Sequence, residues 1–364
     1  MTKSHRLSAT DGSAASLQFE DIPQVQETCL MEESKQIDSK KDQAAKNRVP
    51  LISFGNTGLT VSRVGFGGME LAGLPRAPDL SISQATNLVH AAMDLGINYF
   101  DTSIDYGASE EVLGIALRKR RDQVIIASKC GCLAEEHAQD ERSHVYTPSN
   151  ISAGIMQSLK RLGTDHIDVM QFHGNPTMEL LEQEGGLQTL LELQEKGVIG
   201  HIGLSSRKPY VSEFLEMDLI SVFQLPYSAL QRQHEDIADI VSRSGPAVVA
   251  RGVTARGSVA KVWSSVPIGM SEGQAQIIWD KAGIDELISP MSRIEFMIRF
   301  AVTNPAVNVL LTGTSNVSHL EENVSAAGKG PLDQDLYQAV VARLTEAGSM
   351  AEEIEYRRGG PLAR

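Results

Sequence analysis

Eight short β-branched runs, separated by amphipathic segments, constrain this 364-residue chain more than any other feature. They cover 63–67, 97–101, 124–128, 167–172, 200–204, 220–224, 247–250 and 308–312. Between most of them apolar residues recur at helical spacing. Over 150–162, for example, Ile151, Ile155, Leu159 and Leu162 share one face, and Pro148 and Ser149 mark the start. Strands alternating strictly with helices pair in parallel through right-handed crossovers. Eight such units in one chain predict an α/β fold that closes into a (β/α)8 TIM barrel of about 250 to 300 residues. A doubly wound open sheet is the alternative. Its dinucleotide fingerprint G-x-G-x-x-G is missing, because Gly65-Phe66-Gly67-Gly68 lacks the last spacing. Ahead of the first run, residues 51–62 carry period-two apolar positions around Gly55-Asn56-Thr57-Gly58, a hairpin signature.

The formal net charge of −13 argues against a nucleic-acid coat or a binder of anionic membranes, both of which repel it. Three cysteines, Cys29, Cys130 and Cys132, cannot build a disulfide framework. Cys130-Gly131-Cys132 is neither a C-x-x-C redox motif nor a zinc spacing, so no metal site is expected. No stretch reaches the roughly 18 apolar residues of a membrane span, and no apolar run follows Lys3 and Arg6 as in a secretory signal. A cytoplasmic enzyme is the expectation. Residues 1–48 balance basic and acidic side chains with Phe19 as their only aromatic. They read as a disordered polar tail, or as a segment that docks a protein partner around Leu17 to Met31. The barrel is expected over 49–347, and 348–364, with Arg357 and Arg358, reads as a loose C-terminal tail.

In such a barrel, chemistry sits where strands end at their C-termini. The second run ends in Asp101, with Tyr106 five residues on; the third ends in Lys129 and the fourth in His173. Taken singly, these are a helix cap, loop packing, a solvated charge and a satisfied polar group. Taken together on successive strands, they suit carbonyl reduction, which needs hydride on carbon and a proton on oxygen. Tyrosine can give the proton, but its free pKa is about 10. Bringing it near neutral takes roughly 4 kcal/mol in favour of phenolate. An ammonium about 4 Å away supplies about that at an effective dielectric of 20. Lys129 is thus expected to lower the Tyr106 pKa, Asp101 to hold Lys129, and His173 to orient the carbonyl.

These residues also carry a resemblance. Val64-Gly-Phe-Gly-Gly68, Gly96-Ile-Asn-Tyr-Phe-Asp-Thr-Ser-Ile-Asp-Tyr-Gly107, Ala127-Ser-Lys129, Gln171-Phe-His-Gly174 and Gly197-Val-Ile-Gly-His-Ile-Gly-Leu-Ser205 resemble the aldo-keto reductases, NAD(P)-dependent TIM-barrel oxidoreductases. The likeness runs from about Leu51 to Leu344 and implies that the hairpin plugs the barrel. It places the catalytic tetrad on Asp101, Tyr106, Lys129 and His173 without substitution. It places cofactor contacts on Gly68, Met69, Asp101, Ser205, Ser206, Gln224 and Arg251, with Ser206 standing where the family has asparagine. In the last βα unit it implies Gly313, Thr314, Ser315, His319, Glu322 and Asn323 for the adenosine phosphate and adenine. His319 falls beside the expected 2′-phosphate. NADP is favoured, with NAD as the alternative.

The expected partner is a small carbonyl or alcohol substrate. Its pocket is expected in loops 69–80, 174–186 and 252–290, with Leu71, Leu74, Phe172, Trp263 and Trp279 as apolar walls. Two other functions fit the same residues. One is a cofactor-binding regulatory module, similar to potassium-channel β subunits. The other is a Schiff-base aldolase using Lys129.

Overall fold

The computed structural model describes residues 49–73, 79–255, 270–271 and 273–351. The expected hairpin forms first, with β1 (Leu51–Ser53) antiparallel to β2 (Thr60–Ser62). Phe54 is fully buried with its ring 5.3 Å from that of Tyr99. The Asn56 N–H donates to the Gly245 carbonyl at 2.8 Å. Gly55, at φ 53°, lies so close to the barrel that a Cβ there would stand 2.5 Å from the Ala247 nitrogen. The hairpin therefore seats on the end where the barrel strands begin.

Eight parallel strands follow: β3 (Val64–Gly67), β4 (Tyr99–Asp101), β5 (Ile125–Cys130), β6 (Ile167–Phe172), β7 (Ile199–Ser205), β8 (Val222–Pro226), β9 (Ala247–Arg251) and β10 (Val309–Thr312). They lie in chain order, and β10 returns to pair with β3, closing the barrel. Helices occupy the connections: α1 (Ile82–Asp94), α2 (Ser109–Leu117), α3 (Pro148–Leu162), α4 (Met178–Glu184), α5 (Gly186–Glu195), α6 (Glu235–Ser244), α7 (Gln274–Ala282), α8 (Ile284–Ile288), α9 (Arg293–Thr303), α10 (Val317–Gly328) and α11 (Gln334–Ala347). Several start where the sequence supplies a capping hydroxyl. Ser81 makes a reciprocal box with Gln84 ahead of α1, and Thr147 accepts from the Asn150 N–H ahead of α3.

Both faces of the strands are apolar, which is why the runs read as continuous rather than alternating. Tyr99, Ile125, Ala127, Val169, Val222, Val249 and Val309 fill the barrel. Their neighbours Phe100, Ile126, Met170, Phe223, Val248 and Leu310 pack outward against the helices. The period of two then decides what happens at the far end of the strands. Two residues beyond the inward-facing Tyr99, Ala127, Val169 and Val222 stand Asp101, Lys129, Gln171 and Gln224. The last inward layer is therefore polar. Lys129 stands inside β5, opposite Gln171, rather than past a strand ending at Ser128. β6 keeps pairing with β5 as far as Cys130 opposite Phe172.

The same parity corrects the expected pocket walls. Phe172 faces outward, 6.1 Å from the Tyr146 ring, and Leu71 also belongs to the layer between barrel and helices. Trp279 is not in a loop: it lies on α7, buried edge-on against Phe296 at 5.6 Å. Within the 252–290 connection, the described residues 274–282 and 284–288 are therefore helical. Leu74, Trp263 and the tail 1–48 lie outside the described residues. At the other end, Ser349 is buried. Its hydroxyl donates to the Ala229 carbonyl at 2.8 Å, and its own carbonyl accepts from Arg232 at 3.1 Å. Among the described residues, no helix is long and apolar enough to cross a membrane.

Truncating the hairpin's ring should destabilise the whole barrel. Phe54→Ala is expected to cost about 3–5 kcal/mol. In urea unfolding this reads as a lower midpoint at unchanged slope. A midpoint equal to wild type would mean that the hairpin does not help hold the barrel closed.

Candidate active site

The polar inward layer is one connected network. Asp101, at the end of β4, is 4% exposed, and Lys129 is 2% exposed. The Lys129 ammonium donates to Asp101 Oδ2 and to the Thr102 carbonyl, both at 2.7 Å. Asp101 Oδ1 accepts from Gln224 Nε2 at 2.7 Å and from Gln171 Nε2 at 3.1 Å. Gln224 Oε1 in turn accepts from the Ser205 hydroxyl at 2.9 Å, directly across the β7–β8 ladder. Five successive strands thus each contribute one side chain. Lys129 Nζ also lies 4.8 Å from the centre of the Tyr106 ring.

Burial and charge set the protonation states. Burial pulls the Lys129 pKa down, but Asp101 and Tyr106 outweigh it, and the net direction is up. The ammonium is therefore charged. Tyr106 departs from the sequence expectation. Burial pushes its hydroxyl up, Lys129 opposes, and burial wins, so the phenol stays protonated. The expected depression by Lys129 is present as a force but does not set the sign. His173 is driven down to about 3, first by burial and then by the Lys129 charge. It is neutral at any physiological pH. The His173 backbone is fixed by its N–H donating to the Cys130 carbonyl at 3.1 Å, and its Nδ1 lies 3.1 Å from Cys132 Sγ.

A cavity of about 590 Å³ opens onto this network. Asp101, Tyr106 and His173 line it, as do Met69, Ser205, Gln224 and Arg251. So do Gly313, Thr314, Ser315, His319, Glu322 and Asn323, from the turn after β10 and the first turns of α10. The cavity thus gathers most of the residues singled out in the sequence. Three stand off it. Lys129 is screened behind Asp101 and Tyr106. Gly68 packs inward, where a Cβ would lie 2.6 Å from Ser109 Oγ. Ser206 is fully buried and donates to Asn175 Oδ1 at 3.1 Å, its shorter side chain reaching sideways instead of forward.

Sequence reading missed several members. Gln171 locks Asp101, and its only sequence signal is an amide at an inward position of an apolar strand. Asn175 takes the left-handed backbone at φ 60°. Glu70, Gly252, Thr254 and Ile294 also line the cavity, and none carried a motif.

The cavity suits a dinucleotide. Arg251 Nε is buried with no acceptor among the described residues, which is what a site awaiting an acceptor-rich ligand presents. The turn of Gly313, Thr314 and Ser315 leads into α10, where free backbone N–H groups favour phosphate.

Comparison with known proteins agrees. The model of the Aldo/keto reductase family matches residues 63–344. An uncharacterized oxidoreductase of Bacillus subtilis, YqkF, is 28% identical over 299 residues, covering 79% of this chain and 94% of its own. L-galactose dehydrogenase of Arabidopsis thaliana is 29% identical over 302 residues, covering 77% and 88%. The holo form of aldo-keto reductase AKR11C1 from Bacillus halodurans superimposes with a TM-score of 0.71 at 27% identity, covering 84% of this chain and 99% of its own. On the match over 63–344 and the closed eight-stranded barrel, this chain belongs to the aldo-keto reductase family, oxidoreductases that use nicotinamide cofactors.

Proposed function

We propose that the barrel, residues 49–347, reduces an aldehyde or ketone with NADP(H), or runs the reverse oxidation of an alcohol. The observation that carries this reading is the meeting of a protonated phenol and a neutral imidazole at one end of one cavity, with a buried ammonium against the phenol ring. A bound dinucleotide supplies the hydride that goes to the carbonyl carbon. The chain's own side chains manage the oxygen. His173 is uncharged, so one ring nitrogen carries a proton and donates it in a hydrogen bond to the carbonyl oxygen. The Tyr106 hydroxyl gives its proton to that oxygen as it gains charge, and the phenolate left behind faces Lys129. With the 4.8 Å from Nζ to the ring centre taken as the charge separation and an effective dielectric of about 20, that attraction is worth about 3.5 kcal/mol. Asp101 positions Lys129 and keeps it charged. In the oxidation direction the same groups run in reverse, with the Tyr106 phenolate as base.

The cofactor reading assigns Ser205 and Gln224 to the nicotinamide amide and Arg251 to the nicotinamide ring, where a guanidinium plane can stack. Gly313, Thr314 and Ser315 take the phosphate side, with His319, Glu322 and Asn323 toward the adenosine. The name of the Arabidopsis relative, a dehydrogenase of L-galactose, supports an alcohol or carbonyl substrate. The free thiols Cys130 and Cys132 suit a reducing, cytoplasmic setting. The alternative of a partner-regulating module has no observation in its favour among the described residues.

Removing the proton donor tests the mechanism. Tyr106→Phe should lower turnover about 10²–10⁴-fold. Cofactor affinity, read by fluorescence titration, should move no more than a few-fold. The pH profile is a second readout. His173 gains a proton only near pH 3, and the Tyr106 pKa is raised above its ordinary value. Reduction should therefore be flat from pH 5 to 8 (both donors hold their protons), while oxidation, which needs the phenolate, should rise with pH throughout. Surviving turnover in the variant, or a reduction rate that falls below pH 7, would sink this assignment.

Cofactor choice has its own test. His319 is the cavity residue that would meet a 2′-phosphate, while Glu70 and Glu322 line the same cavity and oppose extra negative charge. The NADPH preference should therefore be narrow, about tenfold over NADH in parallel fluorescence titrations. His319→Ala should erase it. Equal binding of both by the wild type would assign NAD a full share and remove His319 from selectivity.

A further inference from the structure

Beside the cavity, the structure brings together three metal-ligating groups that the reductase reading does not need in combination. Cys132, His144 and His173 each present one ligand atom, and these atoms all lie within 4.8 Å of one another. One pair, Cys132 Sγ and His173 Nδ1, is 3.1 Å apart. In a tetrahedral zinc site, with Zn–S about 2.3 Å and Zn–N about 2.0 Å, ligand atoms stand about 3.3–3.6 Å apart. The ligand atoms, one pair at 3.1 Å and all within 4.8 Å, reach that spacing through side-chain shifts of up to about 1.5 Å. We propose that Cys132, His144 and His173 form a binding site for one Zn²⁺ ion, with the fourth position left to water.

The three groups sit on a fixed frame rather than meeting by chance on a surface. Cys132 and His144 are main-chain partners in an isolated antiparallel bridge. The Asn150 side chain ties that bridge down, donating to the carbonyls of Cys132 and Val145 at 3.2 and 2.8 Å. The His173 carbonyl accepts from the Tyr146 hydroxyl, so the fourth-strand ligand is fixed to the same loop. Glycine at 174 is what lets the two imidazoles approach. It stands at φ 88°, and a Cβ there would fall 2.4 Å from the His144 ring. The rings meet edge-on with centres 5.3 Å apart.

Charge also fits a dication. Binding breaks the Cys132 S–H bond, releases that proton to water and forms the S–Zn bond. The resulting thiolate supplies one negative charge. Asp105 supplies a second close by: Ser103 Oγ donates to Asp105 Oδ1 at 2.5 Å and lies 3.9 Å from Cys132 Sγ. The nearby Lys129 charge is already paired with Asp101. Both histidines are only half-buried, which leaves a route for the ion. A borderline-soft ion with sulfur and imidazole ligands is zinc rather than magnesium or calcium.

The experiment uses the full chain, stripped with EDTA and then dialysed against Zn²⁺ and, separately, Co²⁺. One equivalent of zinc should be retained. The cobalt form should show a thiolate-to-metal charge-transfer band and the intense visible bands of tetrahedral coordination. Cys132→Ser should abolish the charge-transfer band, and His144→Ala should weaken zinc binding at least tenfold. Far-UV circular dichroism would establish that both variants are folded. Cys29→Ser and Cys130→Ser should keep the band. No retained zinc, unchanged affinity in His144→Ala, or a band that disappears with Cys29 or Cys130 instead would each overturn the proposal. None of these readouts uses turnover, so they stand whether or not the reductase mechanism holds.

Discussion

The buried pair of Lys129 and Asp101 is the constraint on which the rest of the site depends. Two charges taken out of water cost several kcal/mol each after relaxation, and their attraction alone does not always recover it. Here the remaining bonding capacity is filled. The ammonium has two acceptors, and the carboxylate has three donors, from Lys129, Gln171 and Gln224. That saturation sets the geometry of everything near it. Gln224 cannot rotate without abandoning Asp101, so Ser205, its other partner, is fixed as well. Tyr106 lies against a cation that cannot withdraw to solvent. A hydrophobic replacement of the pair could pack as well, but it would take away the acceptor of the Gln171 and Gln224 amides and the Lys129 donor to the Thr102 carbonyl inside the barrel.

Burial governs the site's acid–base character in a way that a charge-only argument misjudges. From sequence, a lysine near a tyrosine suggests a phenol with lowered pKa. In the folded chain the same enclosure that brings the lysine close also removes the water that would solvate phenolate, and the second effect is larger. The lysine's influence is therefore felt mainly when charge moves. A resting phenol and a neutral imidazole give two proton-bearing groups facing the cavity, which suits delivery of a proton to a carbonyl oxygen more than its removal from an alcohol.

What could be read from the sequence follows from range. The eight strands are legible as short β-branched runs between helical patterns, and the hairpin as a period-two pattern around turn glycines, because all of these signals are local. Asp101, Lys129 and His173 were legible because strand ends mark one rim of a barrel. The proton chemistry followed from residue type. Gln171 was not legible, since an amide inside an apolar run says nothing of a partner 70 residues away. Trp279 is not legible as core because the 252–290 stretch lacks a strong strand signal, whereas the residue lies on a helix and packs against Phe296 of α9. Ser206 stands where the resemblance has asparagine, and its hydrogen bond to Asn175 depends on a left-handed backbone that no pattern announces.

The contact between Cys132 and His173 shows the same limit most sharply. The two residues are 41 positions apart, and β5 and β6 make them neighbours. Burial, first, and Asp105 hold the Cys132 thiol up to about 12, so it is a proton donor and not a thiolate. Where that thiol donates to Nδ1, the imidazole proton stays on Nε2, the nitrogen not engaged by Cys132. A zinc ion on Nδ1 would impose the same tautomer through a stronger bond. In either state, the group behind the histidine decides which of its nitrogens can donate to a carbonyl. The Cys130-Gly131-Cys132 spacing contains no trace of that role, because only one of its two cysteines faces the histidine; Cys130 is buried between the barrel and its helices.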